Sequence, residues 1–334
     1  METRALGATG PRVSALGLGC MGMSDFYGPA ERVESVATIH AALDAGITLL
    51  DTGDFYGMGD NELLLREALA GHSRDAVVLS VKFGALRDAS GGWLGVDGRP
   101  AAVKNFLAYT LRRLGTDHVD VYRLSRVDSA VPIEDTVGAI AEMVKAGHVR
   151  HVGLSETGPA TIRRAHAVHP VSDVQIEYSL VSRGIEDAIL PTARELGIAI
   201  TAYGVLSRGL LSGHWAKERA VARGDIRGSL PRFGGANLEP NLALAGALAS
   251  LARERGTTVA ALATAWVLSR GADVVPLVGA RRRDQLAESL AALDLRLTPD
   301  DFARIEAAVP RDAAAGTRYA ASQMAFLDSE RRSG

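Results

Sequence analysis

The sequence predicts an α/β fold, a closed (β/α)8 barrel of the TIM type, and three observations lead there. Eight short apolar runs alternate with stretches of helical periodicity. Strands that alternate with helices imply a parallel sheet, either open and doubly wound or closed. The count of eight and the even spacing favour closure. No low-complexity linker interrupts the rhythm, so residues 1–334 read as one domain.

Taken in order, the chain opens with a hairpin over residues 3–15, whose turn is Gly7 to Pro11. Strands are expected near 16–19, 47–50, 76–81, 118–124, 149–154, 172–176, 198–202 and 273–277. Helical periodicity falls near 31–45, 60–70, 101–114, 133–146, 158–168, 184–196 and 241–269, with a further stretch at 282–293. Gly46, Gly115, Gly147 and Gly197 stand where a helix should stop before the next strand. Asn61 is expected to cap a helix start, and Asp284 either caps one or lies in its first turn. The segment from Ser207 to Leu238 reads as a long loop over the barrel mouth after strand seven. The polar tail beyond Pro310, ending Arg331-Arg332-Ser333-Gly334, either folds over that mouth or moves freely.

Composition narrows the function classes. A hydrophobic content of 47% and a charged content of 23% are ordinary for a globular protein. A net charge of −2 gives no electrostatic case for nucleic acid or an anionic membrane. The single cysteine, Cys20, excludes a disulfide framework and any cysteine-based zinc site. With no secretory h-region and no apolar run long enough to span a bilayer, a cytoplasmic location is expected.

Gly17-Leu18-Gly19-Cys20-Met21-Gly22 matches G-x-G-x-x-G, but a dinucleotide fingerprint needs its third glycine to open a helix. Here a loop containing Gly28-Pro29 follows, so the Rossmann reading is set aside. The stronger signal is Asp51, which closes an apolar strand, with Tyr56 in the glycine-flanked loop beyond and Lys82 at the next strand end. On a barrel, reactive groups belong at the C-terminal strand ends. A lysine cation near a tyrosine would lower its pKa, and an aspartate would hold that lysine in place. The trio makes a plausible general acid, although a structural ion pair beside a packed tyrosine is as common.

Leu50-Asp51-Thr52-Gly53-Asp54-Phe55-Tyr56-Gly57 with Val81-Lys82-Phe83-Gly84 resembles the aldo-keto reductase superfamily. So do Gly153-Leu154-Ser155, Gln175-Ile176-Glu177-Tyr178, Tyr203 followed by Ser207-Arg208-Gly209-Leu210-Leu211-Ser212-Gly213, and Gly279-Ala280-Arg281-Arg282 with Gln285-Leu286. The resemblance covers nearly the whole chain. It implies a barrel that binds NADPH (or NADP+) and reduces an aldehyde or ketone, without a metal. On it, Tyr56 is the acid, Lys82 its pKa partner and Asp51 the support for Lys82. Ser155 and Gln175 would hold the nicotinamide carboxamide, and Tyr203 would stack on the ring. Gly204, Leu206, Arg208, Gly279, Arg281, Gln285 and Glu288 complete the expected cofactor site, with Gly279, Arg281 and Gln285 at the adenosine phosphate end. An arginine run at a helix start suits phosphate.

Two positions depart from the family pattern. Ser125 stands where the family has a catalytic histidine. A hydroxyl is shorter than imidazole and cannot become a cation, and losing one oxyanion donor typically costs on the order of 10²–10³ in rate. Among the histidines, only His214 in the long loop could reach the mouth. Glu156 stands where asparagine is common, and an ionised carboxylate accepts but cannot donate to a carboxamide. Two other readings stay open: reduction of a conjugated C=C bond, and an NADPH-holding regulatory or redox-sensing protein similar to potassium-channel β subunits. Phe26, Tyr27, Phe55, Trp93 and Trp215 are candidates for an apolar mouth, shaped by the loop from Ala85 to Pro100. The substrate and the oligomeric state, a homo-oligomer included, are left open.

Overall fold

A computed structural model of the chain describes residues 1–219 and 221–331. Eight parallel strands close into a barrel: Gly17–Gly19, Leu49–Gly53, Val78–Phe83, Val119–Leu124, Val149–Ser155, Val171–Glu177, Ala199–Tyr203 and Val274–Gly279. Each strand pairs with its sequence neighbour, and the eighth returns to the first through Leu277 opposite Gly17. Closure leaves no edge to protect. The helices pack outside, so strand residues are buried on both faces and read as apolar runs. The antiparallel hairpin Thr3–Ala5 with Arg12–Ser14 plugs one end, where Leu6 and Val13 join Leu49, Val121 and Val275 in a small apolar cluster.

All four glycines expected at helix ends take positive φ, between 67° at Gly197 and 86° at Gly46. Several elements differ from the sequence expectation. The second and third strands run past the apolar residues, so Asp51 and Lys82 lie inside them, with Asp51 opposite Ser80 and Gly53 opposite Lys82. Ladder hydrogen bonds do not depend on side-chain polarity, so an acid need not end a strand. The helical stretch 241–269 is two helices, Leu238–Glu254 and Val259–Leu268. Gly256 at φ 62° breaks it, and the Thr258 side chain caps the second by accepting from Ala261 N at 3.1 Å.

The stretch 184–196 is a short turn, Gly184–Glu186, followed by Ile189–Glu195. A further helix, Pro299–Ala308, starts with a Thr298–Asp301 capping box. Asn61 does not cap its helix: it lies in the first turn behind Gly59. Its side chain instead ties the loops together, donating to Cys20 O (2.9 Å) and Ser24 Oγ (2.7 Å) and accepting from Thr52 Oγ1 (2.6 Å). Asp284 lies in the first turn of Arg283–Leu290. Within the loop from Ala85 to Pro100 the chain forms a small hairpin, Ala85–Arg87 with Trp93–Val96. Arg332, Ser333 and Gly334 of the polar tail lie outside the described residues. Among the described residues, no helix is long and apolar enough to cross a membrane.

Candidate active site

A cavity of about 390 Å³ opens at the C-terminal ends of the strands. At its deep end Asp51 and Lys82 form a buried ion pair. The second Asp51 oxygen accepts from Ser80 Oγ at 2.8 Å and from Gln175 Nε2 at 2.6 Å. Ser80 in turn accepts from Arg123, which is paired inside the barrel with Asp173 at 2.9 Å. The carboxylate is therefore held by three side chains, two from the adjacent strand Val78–Phe83 and one from Val171–Glu177 across the barrel. Lys82 Nζ lies 5.1 Å from the centroid of the Tyr56 ring, which the edges of Phe55 (4.8 Å) and Phe26 (5.8 Å) clamp. Tyr56 enters from a loop whose following residues Gly57, Met58 and Gly59 all have positive φ.

The expected acidification of Tyr56 by Lys82 is not met in this arrangement. Burial pushes the phenol well above its usual value, the Asp51 charge adds to that, and Arg126 opposes it. Burial also lowers the Lys82 ammonium, with Asp51 working against the shift. The phenol is therefore fully protonated at neutral pH.

Most of the residues singled out in the sequence meet on this cavity. Asp51, Tyr56, Lys82, Ser125, Ser155, Gln175, Tyr203, Gly204, Leu206 and Arg208 line it near the barrel axis, and Gly279, Arg281, Gln285 and Glu288 line it beyond the eighth strand. The hydroxyls of Ser125 and Ser155 are buried without a hydrogen-bond partner among the described residues. Buried orphan polar groups on a cavity wall are what a polar ligand would satisfy. Beyond the eighth strand, Arg281 donates to the carbonyls of Tyr27 (3.0 Å) and Pro29 (3.1 Å), and its backbone N–H donates to Gln285 Oε1 at 3.2 Å. Arg282 also faces the cavity, whereas Arg283 is tied to Glu34 at 2.9 Å and does not. His214 is bonded to Glu288 at 2.9 Å, so it does not take the place of an imidazole beside Tyr56.

Glu156 does not take part. It sits behind the wall at φ 52°, fully buried, and is consumed by the C-terminal segment. Its carboxylate accepts from Arg318 (2.5 and 2.8 Å), Ser329 Oγ (2.6 Å), Tyr203 Oη (2.6 Å) and Glu177 N (3.1 Å). Burial pushes this carboxyl up, but the Arg318 guanidinium holds it well below the usual carboxylate range. The anchor folds the tail over the mouth, where Tyr319, Gln323, Phe326 and Leu327 join the lining. Phe26, Tyr27, Phe55 and Trp93 line the cavity as expected, and Trp93 meets Phe326 edge-on at 6.2 Å. Trp215 does not line it: the ring packs on Phe233 at 4.6 Å and between Arg219 and Arg227.

Sequence reasoning missed Arg126 and Tyr319. Arg126 follows Ser125 directly, so its place after a strand end was a usable signal. Nothing in the tail marked Tyr319, because its position depends on the distant Glu156 anchor.

The family model for the aldo/keto reductase family matches residues 15–310. Among solved structures, a glycerol dehydrogenase from Gluconobacter oxydans is 27% identical, with 99% of this chain and 98% of that chain covered and a TM-score of 0.83. An aldo-keto reductase from Bacillus halodurans, in its holo form, is 28% identical over 95% of this chain and 98% of its own, with a TM-score of 0.76. A thermostable aldo-keto reductase in complex with the inhibitor epalrestat is 25% identical over 92% of this chain and 100% of its own, at a TM-score of 0.74. With barrel, cavity and family model in agreement, this chain belongs to the aldo/keto reductase family, oxidoreductases of carbonyl substrates.

Proposed function

We propose that the protein is an NADPH-dependent reductase of an aldehyde or ketone, with Tyr56 as the general acid. The observation that carries this reading is one continuous cavity. It joins the Tyr56 phenol and the Asp51–Lys82 pair to two orphan hydroxyls and, beyond the eighth strand, to Arg281 and Gln285. Bound NADPH would supply the hydride. Arg281, Gln285 and Gly279 would hold the adenosine phosphate end, with Glu288 on the same arm of the cavity. Ser155 and Gln175 would meet the carboxamide, Tyr203 would lie against the ring, and Gly204, Leu206 and Arg208 would flank the bridge between the two halves.

In this reading the phenol, kept protonated by burial, donates its proton to the carbonyl oxygen as negative charge develops there. The phenolate left behind is stabilised by Lys82 and Arg126, and Asp51 keeps Lys82 in position. The Ser125 hydroxyl is the remaining neutral donor where the family pattern has imidazole. The absence of imidazole predicts a rate lower by on the order of 10²–10³ unless another donor compensates.

The test is NADPH oxidation with a panel of aldehydes, ketones, hydroxyketones and enones, comparing wild type with Tyr56→Phe. Carbonyl turnover that drops on the order of 10²-fold or more in the variant is expected. Turnover confined to enones would favour C=C reduction. Tight NADPH binding without turnover dependent on Tyr56 would favour the regulatory reading.

A further inference from the structure

Three arginines surround the ring of Tyr319: Arg208 at 4.4 Å from its centroid, Arg318 at 5.6 Å and Arg126 at 5.7 Å. Two of them have carboxylate partners. Arg208 is paired with Glu177 at 2.9 Å, and Arg318 with Glu156 at 2.5 Å. Arg126 has no carboxylate within 4.0 Å among the described residues. Its Nη1 donates to the Ser125 carbonyl at 2.6 Å and its Nη2 to the Tyr319 hydroxyl at 3.3 Å, which holds the side chain in place without neutralising it.

Other charges at this end cancel. Asp51 answers Lys82, Glu177 answers Arg208 and Arg232, and Glu156 with Glu330 answers Arg318. At the Tyr56 end of the cavity the positive charge left over sits on Arg126, which lines it together with Ser125 and Tyr319, whereas Arg281, bonded to backbone carbonyls, stands at the other end beyond the eighth strand. Tyr319 registers the field. Burial pushes its phenol up, yet Arg208 and Arg126 outweigh burial and hold it below its usual value. Arg126 also lies close enough to Tyr56 to be the largest charge opposing the rise of that phenol. A partly desolvated guanidinium without a counterion is costly unless a ligand supplies one.

We propose that the substrates are carbonyl compounds bearing a carboxylate, which Arg126 and the Tyr319 hydroxyl receive while the carbonyl faces Tyr56. The proposal rests on the reading of this cavity as a site of carbonyl reduction. A guanidinium fork matches a carboxylate geometrically, and its charge-assisted hydrogen bonds are roughly twice as strong as neutral ones. A neutral substrate leaves the cation unanswered.

The experiment compares a benzaldehyde carrying a para carboxylate with its methyl ester, in wild type, Arg126→Met and Arg126→Lys. Wild type is expected to favour the acid over the ester in kcat/KM by on the order of tenfold to a hundredfold, mainly through KM. Arg126→Met should lose that preference through a rise in KM for the acid, and Arg126→Lys should restore part of it. Because Arg126 also stabilises the Tyr56 phenolate, a common fall in kcat on both substrates is expected, and the deciding readout is KM. A KM for the acid that rises no more than that for the ester in Arg126→Met, or no preference in wild type, overturns the proposal.

Calorimetric titration with benzoate and benzamide separates this from failure of the reductase reading, because it needs no turnover. Benzoate should bind wild type on the order of tenfold more tightly than benzamide, and Arg126→Met should erase the difference. Equal binding of the two, or a preference that survives in Arg126→Met, sinks the anion site whether or not any carbonyl is reduced.

Discussion

Replacing Glu156 with Gln should release the C-terminal segment while leaving the barrel folded. The carboxylate accepts from two tail residues, Arg318 and Ser329, and is itself fully buried. Removing one partner of a buried pair typically costs about 3–5 kcal/mol, because the other charge is left uncompensated. Here Arg318 keeps Glu330 at 2.8 Å and Glu177 at 3.6 Å, which argues for the lower end, about 3 kcal/mol. Since about 1.4 kcal/mol is a factor of ten, the open fraction of the tail should rise roughly a hundredfold. The loss is local, because the tail can lift off without unfolding the sheet.

Hydrogen exchange read by peptide mass spectrometry is the assay. Protection over residues 317–331 should fall about a hundredfold, and peptides from the strand Val78–Phe83 should change little. The same release should follow acidification of wild type. Arg318 holds the folded-state carboxyl below its unfolded value, so the stabilisation is complete above about pH 4.3 and is lost as the pH falls through the folded value. Unchanged protection of the tail in Glu156→Gln would refute the reasoning, and so would equal loss across the barrel.

Asp51→Asn should destabilise the fold by about 3–5 kcal/mol in urea titrations, because it strands a buried ammonium. It should also lower the Lys82 pKa further, since the Asp51 carboxylate is what chiefly holds that ammonium charged against burial. Asp54 offers a pH test of the opposite sign. Burial, with Glu62 nearby, raises its carboxyl to about 8, so the folded state keeps a proton that the unfolded chain gives up near pH 3.9. Its contribution therefore falls as pH rises from about 4 to about 8. In Asp54→Asn the slope of unfolding free energy against pH over that range should be less negative than in wild type, and an unchanged slope would show that the carboxyl is ionised in the folded protein.

The barrel and half of its cavity were legible in the chain because they rest on local regularities. Apolar runs of strand length, helical periodicity and glycines at helix ends recur whatever the partners are, and strand order follows from parallel pairing of sequence neighbours. Asp51, Tyr56 and Lys82 were visible because strand ends point to one mouth. Glu156 could not be placed from its neighbours: it follows Ser155, but its partners, Arg318 and Ser329, lie far along the chain.

The charge state of Tyr56 was equally out of reach, since burial and the Asp51 charge act through space and reverse the effect expected of Lys82 alone. Residue order determined the architecture and the place of the chemistry. Tertiary structure decided which charges are neutralised and that Arg126 is left facing the Tyr56 end of the cavity, because pairing depends on distances across the folded barrel and desolvation depends on what covers each group.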